Sequence, residues 1–119
     1  MPKGRYLGEF ELYVLLAIEY LGDDAYGVTI RRRIEERTGR SVSIGSVYAT
    51  GRRLVDKGLL STEISAPRPV RGGRARKIFS LTRSGTAALR HSTNMLSRMA
   101  EDLDLDVEIP SGETGELAG

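Results

Sequence analysis

Five cations crowd one stretch of this chain: Arg68, Arg71, Arg74, Arg76 and Lys77 fall within Ala66-Pro67-Arg68-Pro69-Val70-Arg71-Gly72-Gly73-Arg74-Ala75-Arg76-Lys77, with no acid among them. Like charges held so close repel one another unless an anion stands nearby, and the chemistry such a loop suits is phosphate binding. A second group lies just upstream, where Ser43, Ser46, Tyr48, Ala49, Thr50, Arg52 and Arg53 combine small polar side chains with two guanidinium groups. Small residues let a helix come close to base edges, and an arginine on the same flank can pair with guanine. Catalytic and metal chemistry lacks its parts. There is no cysteine, and the single histidine, His91, has no carboxylate within one helical turn. Asp102, Asp104, Asp106 and Glu108 alternate and could line one side of an extended segment around a hard cation, against the plainer reading of a solvated tail. No enzyme activity, metal or cofactor is expected.

The net charge of +2 hides an asymmetry: residues 1–100 hold all 18 Lys and Arg against 9 Asp and Glu, whereas residues 101–119 hold 7 acids and no base. The body is therefore near +9 and the tail near −7, and the expected partner of the body is a polyanion. The tail could lie against the body and compete with it. A length of 119 residues suits one small core. The apolar run over residues 12–18 is far short of the roughly 20 residues that cross a bilayer, and residues 1–5 lack the apolar segment of a signal peptide. A cytoplasmic protein with no membrane partner is expected, and the lack of cysteine suits a reducing compartment.

Periodicity supplies the elements that must position these groups. Phe10, Tyr13, Val14, Ala17, Ile18 and Leu21 recur at steps of three and four, which predicts a helix over 8–21 ended by Gly22-Asp23-Asp24. Tyr26-Gly27 opens a second helix with Tyr26, Ile30 and Ile34 on one face. Its Arg31, Arg32, Glu35, Glu36 and Arg37 are left to solvent, and Arg31 can pair with Glu35 one turn on. Ser43 is a candidate N-cap for a third helix over 43–57, with Val47 and Leu54 inward and Gly58 as terminator. The period then changes to two: Leu60, Thr62 and Ile64 alternate with Leu59, Ser61 and Glu63, and Lys77, Phe79 and Leu81 with Ile78, Ser80 and Thr82. Two strands around the basic loop make a wing. Thr82 can cap a last helix whose seam, Gly85, Leu89, Ser92, Leu96, Met99 and Leu103, has the spacing of a helix that pairs with another. The fold class is α+β, mostly α: three helices and a two-stranded wing, then a C-terminal helix.

Several segments together resemble the PadR family of bacterial transcriptional regulators over about the first hundred residues. They are Tyr26-Gly27; Ser43-Ile44-Gly45-Ser46-Val47-Tyr48; Arg52-Arg53-Leu54-Val55-Asp56-Lys57-Gly58-Leu59-Leu60; Gly73-Arg74-Ala75-Arg76-Lys77-Ile78-Phe79-Ser80-Leu81-Thr82; and Gly85 with Ala88-Leu89. The resemblance implies a homodimeric winged helix-turn-helix repressor. Its third helix enters the major groove of double-stranded DNA and its wing follows the backbone. Residues 1–82 would form the winged-helix DNA-binding domain, 83–103 the dimerisation helix with Leu89, Ser92, Leu96, Met99 and Leu103 at the interface, and 104–119 an acidic, flexible tail. DNA contacts are expected from Ser43, Ser46, Tyr48, Ala49, Thr50, Arg52, Arg53, Arg71, Arg74, Arg76 and Lys77. Arg53 is the leading candidate for guanine, and the resemblance gives the Tyr48 hydroxyl a phosphate, the alternative being a half-buried packing residue. A dimer would space two third helices about one DNA turn apart, so an inverted-repeat operator is expected.

Two departures from the family pattern stand out. Gly51 occupies a core-facing position where a large apolar side chain is usual, so either a neighbour fills the gap or the helix is bent or weakly held. Ile78-Phe79 stands where many members carry two tyrosines. Other readings stay open beside the repressor. One is a winged-helix protein-interaction module without specific DNA binding. Another is a small-molecule effector pocket lined by Met95, Leu96, Met99 and the first helix, where plain dimer core is the alternative. An RNA-binding role for Arg71-Gly72-Gly73 has no aromatic platform to support it.

Overall fold

The computed structural model describes residues 6–66 and 75–103. Arg68, Arg71 and Arg74 of the basic loop, and the acidic tail from Asp104 onward, lie outside the described residues. The order of elements is α1 (Glu9–Leu21), a 3-10 turn (Gly22–Asp24), α2 (Gly27–Thr38), α3 (Ile44–Asp56), β1 (Leu60–Ile64), β2 (Lys77–Leu81) and α4 (Arg83–Ala100).

Each boundary has a local cause. The Gly8 amide donates to Glu11 Oε1 at 2.9 Å at the start of α1, and the Tyr26 amide to Thr29 Oγ1 at 3.0 Å at the start of α2. Ser43 Oγ accepts the Ser46 amide at 3.0 Å and Thr82 Oγ1 the Gly85 amide at 3.0 Å, so both expected hydroxyl caps are formed. After α3 the chain turns at Gly58 with φ of 78°, a left-handed conformation that only glycine adopts without steric cost. The Thr82 hydroxyl donates to the Gly58 carbonyl at 2.7 Å, tying the start of α4 to that turn.

The core gathers Val14, Leu15 and Ile18 of α1, Ile30 and Ile34 of α2, Val47 and Leu54 of α3, then Leu59, Leu60, Phe79, Ala88 and Leu89. Leu15 is fully buried although it lay outside the stripe read for this helix, while Phe10 and Tyr13 are half-buried. The inward face of α1 is thus rotated toward Val14 and Leu15, because helices α2 and α3 both pack on it. The strands pair antiparallel with Leu60 opposite Leu81, Thr62 opposite Phe79 and Ile64 opposite Lys77. Only Leu60 of β1 is buried, so Thr62 and Ile64 do not continue an inward face, and beyond the first residue pair the hairpin reaches the core through β2. Phe79 is the anchor that holds it, fully buried and with its amide donating to the Ala25 carbonyl at 2.8 Å.

Two expectations are corrected here. Leu89, assigned to a dimer interface, is spent in the chain's own core at 8% exposure, because Gly85 brings α4 against the Leu59 carbonyl. Glu35 is not held by Arg31; its Oε2 accepts the Val42 amide at 2.9 Å and ties α2 to the segment leading into α3.

Candidate nucleic-acid interface

Helix α3 divides its residues cleanly. Val47, Thr50, Gly51 and Leu54 are buried, and the opposite side presents Gly45, Ala49, Arg52 and Asp56, with Ser46 and Arg53 on one flank and Tyr48 on the other. The outward stripe carries small residues at its start and Arg52 with Arg53 farther along, before Asp56 ends it. Thr50 is corrected from a DNA contact to an interior residue: it is 3% exposed, and its Oγ1 accepts from Arg53 Nη2 at 3.1 Å. Ser43 and Ser46 engage each other in the cap, since Ser46 Oγ also donates to the Ser43 carbonyl at 2.9 Å.

Arg53 is oriented by more than Thr50. Its Nε lies 3.8 Å from Glu11 Oε2, and Lys57 Nζ donates to the same oxygen at 3.0 Å. Burial pushes the Glu11 carboxyl up. The Gly8 amide, the Lys57 hydrogen bond and charge, and the Arg53 charge together pull it down, and the net effect leaves it below its ordinary value. The sequence reading missed this residue because Glu11 sits among apolar neighbours on α1, with its two partners 42 or more positions away in the chain.

A second cluster forms where α2 begins. The Tyr48 ring packs on Phe79, with centroids 6.3 Å apart at an interplanar angle of 44°. Its hydroxyl occupies the space beside Gly27, where a Cβ would stand only 2.5 Å away. The Arg76 guanidinium lies 4.6 Å from the centre of the Tyr26 ring. Ser65 holds the Arg76 backbone, donating its amide to the Arg76 carbonyl at 2.8 Å and accepting the Arg76 amide on Oγ at 3.0 Å. The base of the wing, the first turn of α2 and one flank of α3 are thereby joined. Lys77, next along β2, is exposed.

Beside α4 an open groove of about 460 Å³ is lined by Tyr6, Leu7 and Leu12 on one wall and Met95, Leu96 and Met99 on the other. Leu96 is 58% exposed and Met99 79%, so the second half of α4, unlike the first, finds no apolar cover among the described residues. Leu103, beyond the helix end, is also exposed, and Ser92 is half-buried. His91 is exposed. Among the described residues no group of three His, Cys, Asp or Glu converges on a common point, and no helix is long and apolar enough to cross a membrane.

The family model for the transcriptional regulator PadR-like family matches residues 14–91, from the middle of α1 to the middle of α4. The chain belongs to this family. No curated protein sequence matches it. Among solved structures, a PadR-like transcription factor from Bacteroides fragilis is 25% identical with a TM-score of 0.62, over 80% of this chain and 86% of that one. RosR from H. salinarum is 25% identical with a TM-score of 0.57, over 98% of this chain and 94% of that one. A PadR family transcription regulator from Clostridium difficile, 20% identical with a TM-score of 0.67 over 94% and 100% of the two chains, shares the fold. DNA-binding transcription regulation is the role of the PadR-like family, and the fold here is its winged helix.

Within this PadR-like chain, the two departures at Gly51 and Phe79 turn out to be one feature. A Cβ on Gly51 would stand 2.8 Å from Phe79 Cε1 and 2.9 Å from Cζ. The ring occupies the space that a large α3 side chain would need, so the third helix is packed at this point and the missing side chain is supplied from β2.

Proposed function

We propose that the protein is a repressor that binds an inverted-repeat DNA operator as a homodimer. The observation that carries this is the outward stripe of α3: small residues Gly45, Ala49 and Ser46 allow close approach, and Arg52 and Arg53 stand beside them as base-reading cations. Tyr48, the start of α2 and Arg76 supply a phosphate-facing cluster next to it. Lys77, with Arg71 and Arg74 of the basic stretch of the sequence, is assigned to the DNA backbone by charge, and Ser43 and Ser46 to phosphate at the start of the helix. The exposed Leu96, Met99 and Leu103, with Ser92, provide the dimer contact, since an apolar row of this kind is stable in water only when covered. Where the operator overlaps a promoter, a dimer held on DNA through both third helices blocks transcription by occupancy. The groove beside α4 is the place for a small-molecule inducer, because its methionine wall adapts to irregular shapes.

The test is enrichment of duplexes from a random-sequence pool by the full chain, followed by footprinting. The reading expects two inverted half-sites about one helical turn apart, and loss of the paired footprint in Leu96→Asp. Full affinity for a single half-site contradicts the dimer. No enrichment at physiological salt contradicts DNA recognition and favours a winged-helix module for protein partners.

A further inference from the structure

Glu11 is a buried carboxylate, 8% exposed, whose two oxygens serve different elements. Oε1 accepts the Gly8 amide at 2.9 Å and closes the start of α1. Oε2 accepts from Lys57 Nζ at 3.0 Å, just past the end of α3, and lies 3.8 Å from Arg53 Nε on its last turn. Arg53 is thus held on its inner side twice, at Nε by Glu11 and at Nη2 by the buried Thr50 hydroxyl, while its side chain remains 57% exposed. Its outer edge is free to meet an acceptor in a fixed direction.

We propose that Glu11 is a positioning residue for base recognition, fixing Arg53 in the orientation that reads a base and offsetting the positive charge of Arg53 and Lys57 against sequence-independent phosphate. The proposal rests on α3 being the DNA-reading helix. An unrestrained arginine reaches many acceptors and loses rotamer freedom on each; one already held loses less and rewards only an acceptor in the right place. Because a phosphate can accept from nearly any direction and a guanine edge cannot, the restraint favours the base over the backbone. The carboxylate holds Lys57 more closely still, at 3.0 Å, so its removal frees a second cation for non-specific contact.

The experiment compares the duplex enriched by the wild-type full chain with a scrambled duplex of the same length, for wild type, Glu11→Gln, Arg53→Ala and the double variant. Glutamine keeps the shape and can still accept the Gly8 amide, and a thermal melt at neutral pH verifies folding. Glu11→Gln is expected to lower the ratio of selected to scrambled affinity by up to about fivefold, the size expected for loss of one partly exposed ion pair, with scrambled binding equal or tighter. When Arg53 is already alanine it is expected to cost the selected duplex nothing further, leaving only the tighter scrambled binding through the freed Lys57. An unchanged ratio, or an equal loss in the Arg53→Ala background, overturns the proposal while leaving DNA recognition intact. Failure of the wild type to enrich any duplex is a different result, since it removes the DNA reading and this proposal together before any variant is compared. Should Glu11→Gln melt below the assay temperature, Glu11→Asp keeps the charge but withdraws it from Arg53, and is expected to lose the same preference; retention of the preference would again overturn the assignment.

Discussion

At the scale of single residues, Gly51 shows why helix propensity alone misleads. In an exposed helix, replacing glycine with alanine stabilises by roughly 0.5 to 1 kcal/mol, but here the new methyl would meet the Phe79 ring at 2.8 Å. Gly51→Ala is expected to destabilise by about 1 to 3 kcal/mol, as overpacking does, and Phe79→Leu is expected to recover part of that loss in the double variant. Thermal or urea melts of the three variants check this; a stabilised Gly51→Ala would mean that the ring is not where the packing places it. Glu11 gives a second residue-scale prediction, with a defined sign. Its folded carboxyl titrates below the ordinary value of 4.5, so the contribution it makes to stability is present above that value and is lost as pH falls through the lower, folded value. The difference in melting temperature between wild type and Glu11→Gln is therefore expected to be largest near neutral pH and to close on acidification below about 4.5; a gap constant with pH would contradict it. Neither pairing was legible in sequence. The two unusual residues Gly51 and Phe79 were visible, but not that one fills the space of the other, because they lie on different elements. Glu11 stood out only as the polar residue just before the apolar run over 12–18, since a carboxylate's partners are fixed by the fold and not by its neighbours.

At the scale of elements, the boundaries were legible because each rests on local chemistry: Ser43 and Thr82 cap, Gly58 turns, and the change of period after Gly58 marks the hairpin. What periodicity could not do was divide an apolar stripe between the chain's own core and an external partner. The α4 seam runs unbroken from Gly85 to Leu103, yet Gly85 and Leu89 are buried within the chain while Leu96 and Met99 are exposed. The same limit applied to β1, where alternation ran on past the one buried residue, Leu60. The division makes a contrast that can be measured. Leu89→Ala is expected to cost about 2 to 5 kcal/mol of folding stability, as core leucine truncations do. Leu96→Asp is expected to leave the secondary structure in place but shift the mass seen by light scattering from dimer to monomer, and to remove the concentration dependence of the melting temperature. A Leu96→Asp protein that stays dimeric would place the contact elsewhere on the surface.

At the scale of the whole molecule, the structure brings together pieces far apart in the chain: α3 through Tyr48, the first turn of α2, and the root of the wing at Arg76. Composition already pointed there, since 8 of the bases and 2 acids fall in residues 52–77. Which of those cations face outward was decided by tertiary contacts, as with Arg76 lying over Tyr26 and Arg53 drawn toward Glu11 and Thr50. Cations that meet phosphate and cations that meet bases differ in how salt and sequence affect them, which gives the account its most direct test. Binding to the DNA upstream of the protein's own gene and to a scrambled duplex is titrated with salt for wild type, Arg53→Ala, and the Arg71, Arg74 and Arg76 triple-alanine variant. Recognition through α3 predicts a preference for the upstream duplex that Arg53→Ala removes with little change in slope. It predicts an affinity loss on both duplexes, with a slope shallower by about one log unit per lost phosphate contact, in the triple variant. Equal binding of wild type to both duplexes, or a preference that survives Arg53→Ala unchanged, would contradict recognition through α3.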